Sequence, residues 1–204
     1  MANIVAGEQY RKFDGQLSEI KRQLRQSGGY PFGPEELRVA LQDIIEGRFG
    51  QYWETIELGT HESGALLLAA LERDGYKANK GAEGIMLKPE FTVSPTRTKL
   101  RLYKVTADEL GLAQGGTRVQ IYDAAFVKGF CKIPAEAGPQ TRLKYLNQQR
   151  GECLVIATDS ISDSGGNLRL FVIDHDDHGR YLNAHCYYPD HVFLPDIPWL
   201  FGRR

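Results

Sequence analysis

The sequence predicts an α+β protein: an N-terminal helical hairpin over residues 1–50, then a mixed domain over 51–204 that ends in a three-stranded antiparallel meander. Three observations carry this. Apolar residues in the first quarter recur at helical spacing, the last third holds three strand-like apolar runs joined by glycine-containing turns, and the middle mixes both kinds of segment.

Tyr10, Phe13, Leu17, Ile20 and Leu24 are separated by steps of three and four, which paints one apolar stripe on a helix over 8–26. The run Gly-Gly-Tyr-Pro-Phe-Gly at 28–33 breaks it. A second helix is expected with Pro34 in its first turn, Glu35 and Glu36 at its positive end, and a face of Leu37, Leu41, Ile44 and Ile45 that stops at Gly47. Residues 55–58 read as a short strand, Thr60 as the cap of a helix running through Leu66, Leu67, Ala70 and Leu71 to Gly75, and Asn79 as the start of a shorter helix. Strands are expected at 91–94 and, with clean alternation, at 99–105. A capping-box pattern opens 106–111, a helix spans 117–128 before Gly129, and another carries Leu143 and Leu146. The meander is read at 152–158, 168–173 and 180–187, with turns at 162–167 and 175–179.

Composition narrows the functions. With 25 Lys and Arg against 26 Asp and Glu, the formal charge is -1, so no global field draws in nucleic acid or an anionic membrane. The longest near-continuous apolar run, at 64–71, is far below the roughly 20 residues of a membrane span. The first twelve residues hold no apolar core of a secretory signal, so a cytosolic location and no membrane partner are expected. Cys131, Cys153 and Cys186 are odd in number and widely spaced, which favours free thiols over disulfides or a zinc knot.

Four of the five histidines fall within 173–191. His175, Asp176 and His178 are candidate metal ligands, since imidazole with carboxylate suits zinc, manganese or iron. Their spacing matches no HExxH or Cys/His pattern, and a polar hairpin tip is the plainer reading. Asp-Ser-Gly-Gly at 163–166 and Ala-His-Cys at 184–186 echo serine-protease fragments in reversed chain order, and catalysis by Ser164 with His185 lacks a supporting fold. Lys99, Arg101 and Tyr103 share one side of their strand, a basic face with an aromatic that would suit RNA or DNA. The glycine-rich run at 111–117 matches neither phosphate-binding fingerprint. Trp199 and Phe201 are expected to tie the C-terminal segment onto the sheet.

Glu109 to Gly111, Pro-Ala-Glu-Ala-Gly-Pro-Gln-Thr-Arg-Leu-Lys-Tyr at 134–145, Gly-Glu at 151–152, residues 156–161 and Tyr-Pro-Asp at 188–190 form a run of motifs. Together they resemble a family of bacterial hypothetical proteins in which a Pro-Ala-Glu-x-Gly-Pro turn precedes an Arg-Leu-x-Tyr helix and a Gly-Glu-led strand. The resemblance spans residues 16–201 and implies neither an activity nor catalytic residues. The leading expectation is a non-catalytic cytosolic binding or regulatory module that engages another protein through the hairpin or the concave side of the sheet, with no cofactor. The alternative is a metal-assisted hydrolase or nuclease built on His175, Asp176 and His178, and the third reading is RNA or DNA binding through Lys99, Arg101 and Tyr103.

Overall fold

The computed structural model describes residues 7–25, 37, 38, 41, 42 and 52–203, and the chain divides into two compact units, Met1–Gly50 and Gln51–Arg204. In the first unit, helix α1 spans Gly7–Leu24. Leu17, Ile20 and Leu24 are half-buried, whereas Tyr10 and Phe13 remain 65% and 49% exposed. Glu19 accepts hydrogen bonds from Arg22 and Gln23 on the outward face, which is the favourable i, i+3 and i, i+4 arrangement. Residues 37, 38, 41 and 42 are helical, while the turn at 28–33 and most of the expected second helix lie outside the described residues.

The second unit is built on a nine-stranded mixed sheet. Its strands are β1 (Tyr52–Leu58), β2 (Lys77–Ala78), β3 (Thr98–Thr106), β5 (Phe130–Cys131), β6 (Cys153–Ile156), β7 (Ile161–Ser162), β8 (Leu168–Asp176), β9 (Gly179–Cys186) and β11 (Pro198–Arg203); β4 (Gly116–Thr117) and β10 (Val192–Phe193) form a separate ribbon. The order is β1-β3-β11-β6-β8-β9-β2, with β5 paired to β11 and β7 to β8. Most pairs are antiparallel, but β11 runs parallel to β6 and β2 parallel to β9. β6, β8 and β9 lie side by side and antiparallel.

Helices cover both faces. On one face α2 (Gly64–Arg73), α3 (Lys80–Met86) and α5 (Ala137–Lys144) pack Leu67, Leu71, Ile85, Met86 and Ala137 against inward side chains such as Leu102, Ile156, Phe171 and Leu200. On the other, α4 (Arg118–Val127) sets Ile121 and Ala125 against Tyr103, Val155, Val172, Trp199 and Phe201. This explains why residues 154–157, 170–173 and 199–201 are apolar at consecutive positions: a strand buried on two sides has no polar side to alternate with.

Several expectations shift. The segment 198–203, read only as an aromatic anchor, is a central strand between β3 and β6, with Pro198 at its first position, where no ladder donor is lost to the sheet interior. Residues 91–94 form no strand; Ser94 N instead donates to Glu136. The cap of α2 is Ser63, whose hydroxyl accepts from Leu66 N, and Thr60 is used elsewhere. Thr106 and Glu109 do exchange capping-box bonds, but Gly111 at φ +94° ends the turn before a helix can grow. Asn79 and Thr117 cap α3 and α4, the latter with a full capping box through Gln120.

Candidate functional site

Strand β8 alternates its side chains between the two covered faces. Leu170, Val172 and Asp174 point to the α4 side, and Phe171, Ile173 and His175 to the other. His175 is therefore separated from its neighbours Asp174 and Asp176 by the sheet itself. Its Nδ1 lies 2.8 Å from the carbonyl oxygen of Gln148. Asp176 Oδ1 accepts from the backbone N–H of His178 at 2.7 Å, Asp177 pairs with Arg150, and Lys77 donates to the carbonyl of His178. These bonds close a two-residue hairpin turn ahead of Gly179, beside an open depression lined by Arg150, Gly151, Asp176, Asp177 and His178. His175, Asp176 and His178 are not brought to a common point, and no group of three His, Cys, Asp or Glu side chains positioned for a metal occurs among the described residues.

The basic strand face is divided as well. Lys99 is exposed and Arg101 half-buried, but Tyr103 is 2% exposed against Phe130, with the guanidinium of Arg203 4.7 Å above its ring. A base cannot stack on a ring so enclosed, so the aromatic part of the expected nucleic-acid surface is absent from it. Ser164 sits in a turn organised by Asp163, which accepts from the backbone of Gly165 and Asn167, the Asn167 amide and the Arg169 guanidinium. No hydrogen bond links Ser164 to His185 among the described residues, and Asp163 has the role of a turn clamp.

The structure assembles two polar clusters whose contacts were not visible in the sequence. The first joins Cys153, Asp174, Asn183, His185 and Tyr187 on the α4 side of β6, β8 and β9. Asn183 Nδ2 donates to Asp174 Oδ2 at 2.8 Å, and His185 Nε2 stands 3.7 Å from the same oxygen. Burial works to raise the Asp174 pKa, but hydrogen bonding with His185, Asn183 and Cys153 outweighs it and holds the carboxyl below its ordinary value. Burial, reinforced by Asp174, pushes the Cys153 thiol up, so it stays protonated and is a poor nucleophile. The Tyr187 hydroxyl is pushed up for the same reasons. Its ring packs between His185, His191 and Phe193, with centroids 6.0, 4.9 and 4.7 Å away. The hairpin register would have revealed this cluster, because Cys153 opposes Asp174 and the turn at 177–178 fixes which β9 residues follow.

The second cluster is the motif run at 134–152, and it is internal. Glu136 is fully buried and its carboxyl oxygens accept from Gly59 N at 2.7 Å, Ser94 N at 2.7 Å and Gln140 Nε2 at 2.9 Å. Gln140 also donates to Thr60 Oγ1. Arg142, fully buried, donates to Gln148 Oε1 and to the Tyr145 carbonyl and lies 4.9 Å from the Tyr76 ring centroid. Burial lowers its pKa to about 10, which still leaves it charged at neutral pH. Gln148 donates to the carbonyls of Glu152 and Ile173, and Tyr145 O–H and Lys104 Nζ both donate to Glu152. These side chains satisfy backbone groups of loops and strand ends that would otherwise be buried unpaired.

A shallow, polar cleft at the β2–β9 edge is lined by residues that include Glu72, Lys77, Glu83, Asp176 and Asn183. No helix among the described residues is long and apolar enough to cross a membrane. No protein-family model, no curated protein and no solved structure matches the chain.

Proposed function

We propose that this chain is a non-catalytic, cytosolic protein-binding or regulatory module and that α1 is its binding element. The observation that carries the reading is the exposure of Tyr10 and Phe13, at 65% and 49%, on a helix whose apolar side chains form one stripe. Large aromatic side chains left in water along one helix face gain most by docking. Both faces of the sheet carry helices, so the concave side considered from the sequence is filled by core. The likeness of 134–152 to bacterial hypothetical proteins belongs to the same proposal, since those residues act in folding and bring no chemistry with them.

The test compares the full chain with a Tyr10→Ser/Phe13→Ser variant as bait. A protein retained by the first and lost by the second, with equal melting of the two baits, supports the reading. Equal retention by both baits contradicts it. The metal-assisted reading requires phosphodiester or ester hydrolysis that depends on added zinc or manganese and falls in a His178→Ala variant. The nucleic-acid reading requires retention of RNA or DNA at low salt that Lys99→Ala and Arg101→Ala weaken.

A further inference from the structure

The stripe on α1 is narrow and regular. Between Gly7 and Leu24 the only large apolar residues are Tyr10, Phe13, Leu17, Ile20 and Leu24, spaced three, four, three, four. That is the spacing of a coiled-coil seam carried over two heptads, with Tyr10 and Phe13 exposed and Leu17, Ile20 and Leu24 half-buried. The seam is flanked on one side by Gln9, Gln16 and Gln23 and on the other by Asp14 and Lys21. Neither Asp14 nor Lys21 has an ion-pair partner among the described residues, and both are exposed.

The two flanks distinguish the orientations. In a parallel self-pair each flank meets the opposite flank, so Asp14 and Lys21 would face glutamines and gain nothing. In an antiparallel self-pair each flank meets its own kind. When Phe13 packs beside Leu24 of the second copy and Leu17 beside its Ile20, Asp14 falls opposite Lys21 of the second copy, and the symmetry makes this contact twice. Gly15 lies on the outward side, where it does not interrupt the seam. An 18-residue helix is roughly 27 Å long and marginal by itself, so a partner along its whole length also stabilises it.

We infer that α1 pairs with α1 of a second copy of this chain as an antiparallel two-stranded coiled coil. This rests on the reading of α1 as the binding element and names its partner. Sedimentation equilibrium of the full chain is expected to show concentration-dependent doubling of mass. Asp14→Lys and Lys21→Asp, each alone, turn both charge pairs repulsive and are expected to weaken the dimer roughly tenfold, while an equimolar mixture of the two variants restores it. Both substitutions are on exposed helix positions; tryptophan fluorescence from Trp53 and Trp199 checks that Gln51–Arg204 is intact. A single-copy mass at every concentration overturns the inference, as does a dimer indifferent to both variants. If the chain is a single copy yet another protein is retained in a Phe13-dependent manner, self-pairing falls and the binding reading stands; a single copy that retains nothing removes both.

Discussion

Glu136 is held in the core without a cationic partner among the described residues because three N–H donors converge on its carboxyl group. Two of them are backbone amides, of Gly59 and Ser94, so the side chain ties two loops to the start of α5. Glu136→Ala leaves those amides buried and unpaired and is expected to cost about 3 kcal/mol, read as a lower denaturant midpoint at unchanged slope. Asp163 is lowered from 3.8 to about 2, first by the backbone and side-chain bonds of Asn167. Asp174 is also lowered, against the opposing effect of burial. A folded-state pKa below the unfolded one means that stability is complete above the unfolded value and drains away as pH falls through the folded one. The melting temperature is therefore expected to decline from about pH 4 toward about pH 2, and Asp163→Asn to flatten part of that decline. The motif run was legible as a pattern, but its role was not, since sequence spacing does not show that the donors around Glu136 come from 42 and 77 residues away.

Among the elements, two glycines make the packing testable. A Cβ on Gly138 would stand 2.8 Å from Phe171 Cγ, because α5 crosses β8 at close approach. Gly138→Ala is expected to destabilise by about 1–3 kcal/mol through overpacking. A Cβ on Gly15 would meet nothing within 4 Å. Gly15→Ala is expected to stabilise α1 by about 1 kcal/mol and to raise the helical signal in far-ultraviolet circular dichroism. The same contrast shows what the sequence revealed about elements. α1, α4 and strands β3 and β9 stood out by their period and their local caps or turns, and β8 by a continuous apolar run between two turns. β11 did not, since residues 198–201 carry apolar groups on both sides and follow Pro195 and Pro198, features shared with an ordinary packed tail. The short strands β2, β4, β5, β7 and β10 have two residues each, too few to show any period. Edge strand β1 carries a register shift between Tyr52 and Glu54, and the Glu54 side chain accepts from Thr55 N, so the free side of the strand is blunted against further pairing.

Taken as a whole, Gln51–Arg204 spends its polar side chains on its own backbone. Helices fill both faces of the sheet, His175 is separated from Asp176 across it, Tyr103 is enclosed, and the Cys153 thiol stays protonated beside Asp174. Tyr10 and Phe13 of α1 are among the large apolar side chains left exposed. The most direct measurement places a photo-activated cross-linking residue, in separate full-length chains, at Phe13, at Lys99 and at His178 in cells that express the protein. Protein adducts that form from position 13 and not from the other two are expected. No protein adduct at position 13, together with nucleic-acid adducts at position 99 or loss of the position 178 adduct on metal chelation, would contradict the account.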